Sequence, residues 1–237
     1  MEGFTYHNIF ETKGIEYLLI IGFFLLLIPF YLILSKRVKA ERFLRKAFRS
    51  LSLQSIKVPQ GLYFSRFHTW AHLETSGDAR IGLDDFLAKI TGPVAFQPVR
   101  MLGDSIRKGE LLALLISNGK HLRVCSPVSG RIVEDNPEVL EDSGQLTIDP
   151  FGKGWLFKVR PFQWNEETNG YYVGEKATEW ISQEINRFKN WLTGSVEEPS
   201  TLYSGIVLQD GGELIDQPLS ELPAEAWKEF QEKFLTE

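Results

Sequence analysis

One cysteine, Cys125, is all the thiol chemistry available to this chain of 237 residues. A single cysteine excludes an internal disulfide and every paired-cysteine metal or redox motif, and it fits a reducing compartment. Also missing are a glycine-rich phosphate loop, a dinucleotide fingerprint, a Ser–His–Asp spacing and an iron–sulfur cysteine set. Positive charge is scarce along most of the length: from residue 50 onward 18 basic residues face 27 acidic ones. A folded face of interleaved basic and aromatic residues, the mark of a nucleic-acid binder, is therefore not expected. Between Tyr17 and Leu34 charge is lacking altogether. What is present is a hydrophobic content of 43% with six tryptophans, which excludes a disordered chain. The length suits one ordinary domain with an anchor and some extra helices.

The uncharged run, YLLIIGFFLLLIPFYLIL, fills 18 positions. At 1.5 Å per residue it reaches roughly 27 Å, just enough for the hydrocarbon core of a bilayer. A buried soluble helix of this length would normally keep a polar face. A cleaved signal peptide would carry its positive charge ahead of the apolar run. Here the charge follows: Lys36, Arg37, Lys39, Arg42, Arg45, Lys46 and Arg49 stand against Glu41 alone, whereas residues 1–16 hold Glu2, Glu11, Glu16 and Lys13. That asymmetry puts the C-terminal side in the cytoplasm. The expectation is a single-pass anchor in the cell inner membrane, with a short external N-terminus (1–16), a transmembrane helix (17–34) and a basic juxtamembrane helix (35–58). In the last of these Phe43, Leu44, Ala47, Phe48 and Leu51 recur at helical spacing. Such a helix either lies on anionic headgroups or continues the span as a stalk.

After Pro59 short apolar runs alternate with glycine and proline turns, as in Ala79–Leu83, Val94–Phe96, Leu111–Ile116, Arg131–Val133 and Trp155–Val159. Runs this short and closely spaced predict an antiparallel sandwich or barrel. Asp84 is placed to cap a short helix over Asp84–Ile90. Asn118-Gly119 falls between an apolar run and the alternating His121-Leu122-Arg123-Val124, which predicts a tight hairpin with a type I′ turn at its tip.

An ordered set of motifs then gives a family likeness. His68-Thr69-Trp70, Ile81-Gly82-Leu83-Asp84-Asp85-Phe86, Gly92-Pro93-Val94, Gly103-Asp104-Ser105-Ile106 and Lys108-Gly109 come first, followed by Ser126-Pro127-Val128-Ser129-Gly130 and Asp149-Pro150-Phe151-Gly152-Lys153-Gly154-Trp155-Leu156. Over roughly residues 62–162 this resembles the glycine cleavage H protein. The resemblance implies a lipoyl-type barrel-sandwich hybrid, mainly β with flanking helices: two small antiparallel sheets around a common core. It also implies a hairpin-tip lysine bearing lipoate, whose dithiolane carries an aminomethyl group between enzymes. The family pattern there is Glu-Ser-x-Lys, with the proline of the Ser-Pro turn eight residues past the lysine. Counting back from Pro127 reaches Gly119, with Ile116 at the glutamate position and Ser117 matching. Lys120 stands one residue late, and a one-residue shift along a strand turns a side chain to the other face. It is either an ordinary surface lysine after a turn or a shifted lipoylation site. No lysine between methionines marks a biotin site.

Other reactive residues read as structural. His68 and His72 have the i, i+4 spacing of helical metal ligands, but Trp70 between them sits in an expected strand, and the resemblance makes His68 part of a structural His-x-Trp element. No metal site is expected. Asp84 and Asp85 are adjacent and do not converge on one substrate. Cys125 has no neighbouring base to activate it.

From Gly174 a helix is predicted with Ala177, Trp180, Ile181, Ile185, Phe188, Trp191 and Leu192 on one side. A small hairpin about Asp210-Gly211 follows, and Pro223 opens a last helix with Trp227, Phe230, Phe234 and Leu235 on one side. These helices either pack on the barrel or offer Trp180, Phe188, Trp191, Trp227, Phe230 and Phe234 to a partner protein. The expected organisation is thus an H-protein-like domain (59–162) and a helical C-terminal extension (163–237) behind the anchor. The expected role is a non-enzymatic scaffold without cofactor, recruiting cytoplasmic or membrane-complex proteins to the bilayer, in a membrane-bound redox complex. The rival expectation is a tethered lipoyl carrier using Lys120.

Overall fold

A computed structural model of the chain describes residues 17, 20–31, 56–194, 217–220 and 222–236. It separates the chain into two units, residues 1–48 and 49–237. In the first, residues 20–31 form a helix whose side chains are almost all exposed, Leu26 to 74%. These twelve residues cover about 18 Å, and among the described residues no helix is long and apolar enough to cross a membrane. The expected span over 17–34 therefore has only part of its length described. Lys36, Arg37, Lys39, Arg42, Arg45, Lys46 and Arg49 lie outside the described residues, as does the hairpin expected about Asp210-Gly211.

The second unit carries the predicted β architecture. Its strands are β1 (Tyr63–Phe64), β2 (Thr69–Leu73), β3 (Ala79–Leu83), β4 (Ala95–Pro98), β5 (Ser105–Ile106), β6 (Leu111–Ser117), β7 (Lys120–Cys125), β8 (Gly130–Asp135) and β9 (Trp155–Pro161). They form a six-stranded sheet in the order β1-β2-β3-β9-β8-β5 and a three-stranded sheet in the order β4-β6-β7. Every pairing is antiparallel. The helices are α1 (Asp85–Thr91), α2 (Pro137–Glu141), α3 (Gln145–Ile148), α4 (Trp164–Thr168), α5 (Glu175–Gly194) and α6 (Ala224–Phe234). Asp84 caps α1 as expected, accepting from the Leu87 N–H at 2.8 Å.

One continuous core takes side chains from both sheets and from α1, α5 and α6. Leu112, Leu115, Leu122 and Val124 of the small sheet are all inside it. Each such aliphatic side chain contributes about 1.5–3 kcal/mol on burial. The tight packing also explains the glycine that ends the Ser-Pro-Val-Ser-Gly turn. A Cβ on Gly130 would run into the carbonyl oxygen of Arg160 and a methyl of Val159 on the neighbouring strand. Because the obstacle is backbone, Gly130→Ala should cost about 1–3 kcal/mol, read as a lower midpoint in a denaturant titration.

Three edge strands, β1, β4 and β7, have partners beyond their sheets. The Phe64 and Tyr172 backbones exchange hydrogen bonds at 2.9 and 3.0 Å along β1. On β4 the Phe96 N–H donates to the Ser143 hydroxyl at 3.0 Å, and Pro98 has no N–H to offer. On β7 the Arg123 N–H donates to Gln231 Oε1 of α6 at 2.6 Å.

Candidate functional site

Two places in the second unit concentrate polar contacts that the fold alone does not require. The first is the β6–β7 hairpin. Ser117 pairs with Lys120, and Asn118 and Gly119 take φ values of 49° and 77°, so the tip is the predicted two-residue turn. Gly119 occupies the tip itself, with nothing within 4 Å of where a Cβ would stand. Lys120 is not a free surface lysine. Its ammonium donates to the carbonyls of Ser220 at 2.5 Å and Leu222 at 2.9 Å, and it lies 5.1 Å from the centroid of the Trp227 ring. Two carbonyl acceptors and an aromatic face thus engage this cation from within its own chain.

The segment that receives Lys120 is itself fixed. Leu219 N–H donates to the Ile90 carbonyl at the end of α1 (2.9 Å), and the Trp227 indole N–H donates to the Leu219 carbonyl (2.6 Å). A groove of about 990 Å³ runs between hairpin and α6, lined among others by Phe67, Lys108, Arg123, Trp227, Glu232 and Leu235. Cys125 borders it, and burial pushes its thiol up, against a smaller opposing pull from Arg123. A raised thiol is a poor nucleophile. Lys108, from the matching Lys-Gly pair, donates to the Glu167 carbonyl at 3.0 Å and lies 4.5 Å from the centroid of the Tyr171 ring.

The second place is a buried charge cluster around His68. Trp70 is in β2 as expected, but His68 is not; it ends the turn before that strand with φ 56°, held by Ser65 and Thr69. His68 Nδ1 meets Asp84 Oδ2 at 2.6 Å, and its Nε2 faces Glu184 of α5 at 3.6 Å, an ion-pair distance longer than a hydrogen bond. The ring stacks on Trp180 at 5.0 Å and packs beside Phe86 at 4.8 Å. Burial by itself would draw His68 down; the charge and hydrogen bond of Asp84, with Glu184 behind them, outweigh it and push the imidazole up to about 9. Glu184 is pushed up by burial, but the approach of His68 and the Arg187 guanidinium more than offset this and hold it below the usual carboxylate range. His72 makes only a 3.3 Å contact to the Gly61 carbonyl, so the two histidines serve different neighbours.

The six aromatic side chains read as either packing on the barrel or reaching a partner are buried. Phe188 and Phe230 are wholly buried, Trp227 and Phe234 nearly so, and Trp180 and Trp191 expose under a tenth of their surface. Phe188 meets Phe230 edge-on at 5.7 Å, and Phe230 stacks on Phe234 at 4.8 Å. A partner reached through them would have to displace this chain's own packing. Sequence reasoning passed over Glu184 and Gln231. Glu184 did leave a signal: it sits three and four residues past Ile181 and Trp180, on the buried stripe of α5.

The sequence pattern of the family described as Glycine cleavage H-protein matches residues 62–184. Among known proteins, the probable glycine cleavage system H protein of Pyrococcus abyssi is 31% identical over 125 residues, covering 53% of this chain and 92% of that protein. The glycine cleavage system H protein of Rhodospirillum rubrum is 38% identical over 99 residues, covering 42% and 79%. A solved structure of the glycine cleavage system H protein from Mycobacterium marinum aligns with a TM-score of 0.44 at 25% identity, over 54% of this chain and 98% of that one.

Proposed function

This chain belongs to the glycine cleavage H-protein family, and on that premise we propose that it is a membrane-tethered, non-catalytic member kept for binding rather than for carrying lipoate. The observation that carries the reading is the state of the hairpin. Glycine stands at the tip, and the nearest lysine has its ammonium engaged by two carbonyls and an indole of its own chain. A carrier needs a long arm free to swing; Lys120 is tied down at its root.

Tethering is supported by the helix over residues 20–31, on which Phe23, Leu25, Leu26 and Phe30 are exposed among the described residues. An apolar surface of that kind calls for lipid or another protein. The uncharged run continues to Leu34, and the basic block beyond it sets the orientation with the H-protein-like domain in the cytoplasm. The bound proteins would be cytoplasmic or membrane-complex components, in a redox assembly. With the tryptophans of α5 and α6 committed to the core, Met101 and Leu102 in the β4–β5 loop are exposed apolar side chains that remain for a partner.

The deciding experiment is the intact mass of the protein purified from its native membranes, with peptide mapping across residues 108–131. The expected result is an unmodified Lys120 peptide from cells whose other lipoyl proteins carry the group. A lipoyl mass on Lys120 would replace this reading with a tethered carrier. Recovery of the protein in the supernatant of a detergent-free extract would remove the tether.

A further inference from the structure

The hairpin lysine and the C-terminal helix hold one another in a way that one covalent change would undo. A lysine ammonium has three protons to donate. At Lys120 two of them go to the Ser220 and Leu222 carbonyls, and the positive charge rests near the Trp227 ring. About one turn of contact then follows along α6. Trp227 is 1% exposed and hydrogen-bonded to Leu219, and Gln231 supplies the acceptor for the Arg123 N–H at the edge of β7.

Acylation of that nitrogen would break the bond between an acyl group and its activating leaving group in a donor such as an acyl adenylate or thioester. It would form an amide on Nζ and free the thiol or the nucleoside monophosphate as leaving group. Two protons leave the ammonium, one taken by the departing thiolate and one by solvent, or both by solvent when an adenylate is the donor. The product is neutral, keeps one N–H where the ammonium had three, and places an acyl chain where the carbonyls now stand 2.5 and 2.9 Å away. One N–H cannot serve both acceptors, and the attraction of the cation to the indole disappears.

We propose that docking of α6 on the hairpin and N-acylation of Lys120 exclude one another, so that α6 is a latch: closed, it withholds Lys120 from acyl transfer, and an acyl group on Lys120 opens it. This deepens the reading that the resident lysine is unmodified, and it rests on that reading for the closed state. The two effects are reciprocal: whatever factor the docked helix takes from acylation, the acyl group takes from docking. Opening uncovers the β7 edge at Arg123 and the apolar side of α6 at Trp227 and Phe230, which gives a partner a surface that the closed form lacks.

The test uses the full-length protein in detergent, treated with an N-hydroxysuccinimide ester of acetate and read by peptide mass spectrometry. Lys153, whose side chain is 65% exposed, is the internal reference. Lys120 is expected to acetylate about tenfold more slowly than Lys153 or less, given two hydrogen bonds from a charged donor. In Trp227→Ala, or in the milder Gln231→Ala should the first fail to fold, the two rates should approach each other. Lys120 reacting at the rate of Lys153 in the unaltered protein overturns the latch. A second measurement runs the linkage backward: Lys120→Gln, which removes the charge as acylation does, should raise deuterium uptake over residues 224–234 and 120–125 while leaving β2 and β3 protected. Unchanged uptake there also overturns it. Lipoate found on Lys120 in native membranes would sink the unmodified reading alone, because the latch then requires that this modified chain exchange fast over α6.

Discussion

Asp84→Ala should be among the most damaging single changes in the domain, costing about 3–5 kcal/mol at pH 6 and lowering the melting temperature by about 10 °C. Asp84 has two tasks, each with its own oxygen. Oδ1 caps α1 through the Leu87 N–H, and Oδ2 receives His68 Nδ1. Losing the cap accounts for about 1 kcal/mol of the effect. The rest comes from leaving a buried imidazole without its principal counter-charge, since Glu184 stands farther off at 3.6 Å.

The same change should alter the pH profile, and its sign follows from His68. The folded value of about 9 lies above the ordinary 6.5. The stability this group contributes is thus fully present below pH 6.5 and is lost as pH rises through about 9. The gap between the unaltered protein and Asp84→Ala should therefore be widest near pH 6 and narrow toward pH 9.5, where only the cap and the neutral hydrogen bond remain. Asp84→Asn keeps the capping oxygen and removes the charge, so it should show most of the pH-dependent loss with little of the cap loss. Urea titrations of all three proteins between pH 5.5 and 9.5 check this; a gap independent of pH would mean that His68 is neutral in the folded state.

Trp227→Ala should cost a similar amount, about 3–5 kcal/mol, but the damage should stay local. Trp227 is the largest side chain that α6 puts into the core, and it also supports Lys120 and the Leu219 carbonyl. Remove it, and α6 keeps Phe230 and Phe234 but loses its link to the segment that ties it to α1. Helices attached at one end of a fold open by themselves before the whole unfolds. Hydrogen exchange should therefore speed up over α6 and at the Arg123 amide while β3 and β9, at the middle of the large sheet, stay protected. A uniform loss of protection over every strand would show instead that α6 is an inseparable part of the barrel.

Much of the barrel was legible in residue order. The apolar runs became β3, β4, β6, β8 and β9, Asn118-Gly119 turned the hairpin, and Asp84 capped its helix, because each of these depends on neighbours within a few positions. The glycine at the tip was legible too, since it needed only counting from Pro127. What could not be read is where the C-terminal helices lie. Amphipathic spacing says that Trp227, Phe230 and Phe234 are covered, but not what covers them. The acceptors of Lys120 are main-chain carbonyls, which leave no mark in residue identity. The His68 cluster lay between: its carboxylate partner Asp84 belongs to a recognisable motif, whereas Glu184 comes from α5 and pairs across 116 positions.

The contact between Lys120 and Ser220 joins positions 100 residues apart, and a ribosome makes chain from one end only. At about 5–20 residues per second, the stretch that closes over the lysine follows it by about 5–20 s. The barrel strands, β1 to β9, are complete by Pro161, so the hairpin can take its final shape while its amine still has no cover. For that interval each newly made molecule presents Lys120 once, whatever its finished form conceals. An acylating enzyme that works on nascent chains would thus meet a different protein from one that arrives after synthesis ends.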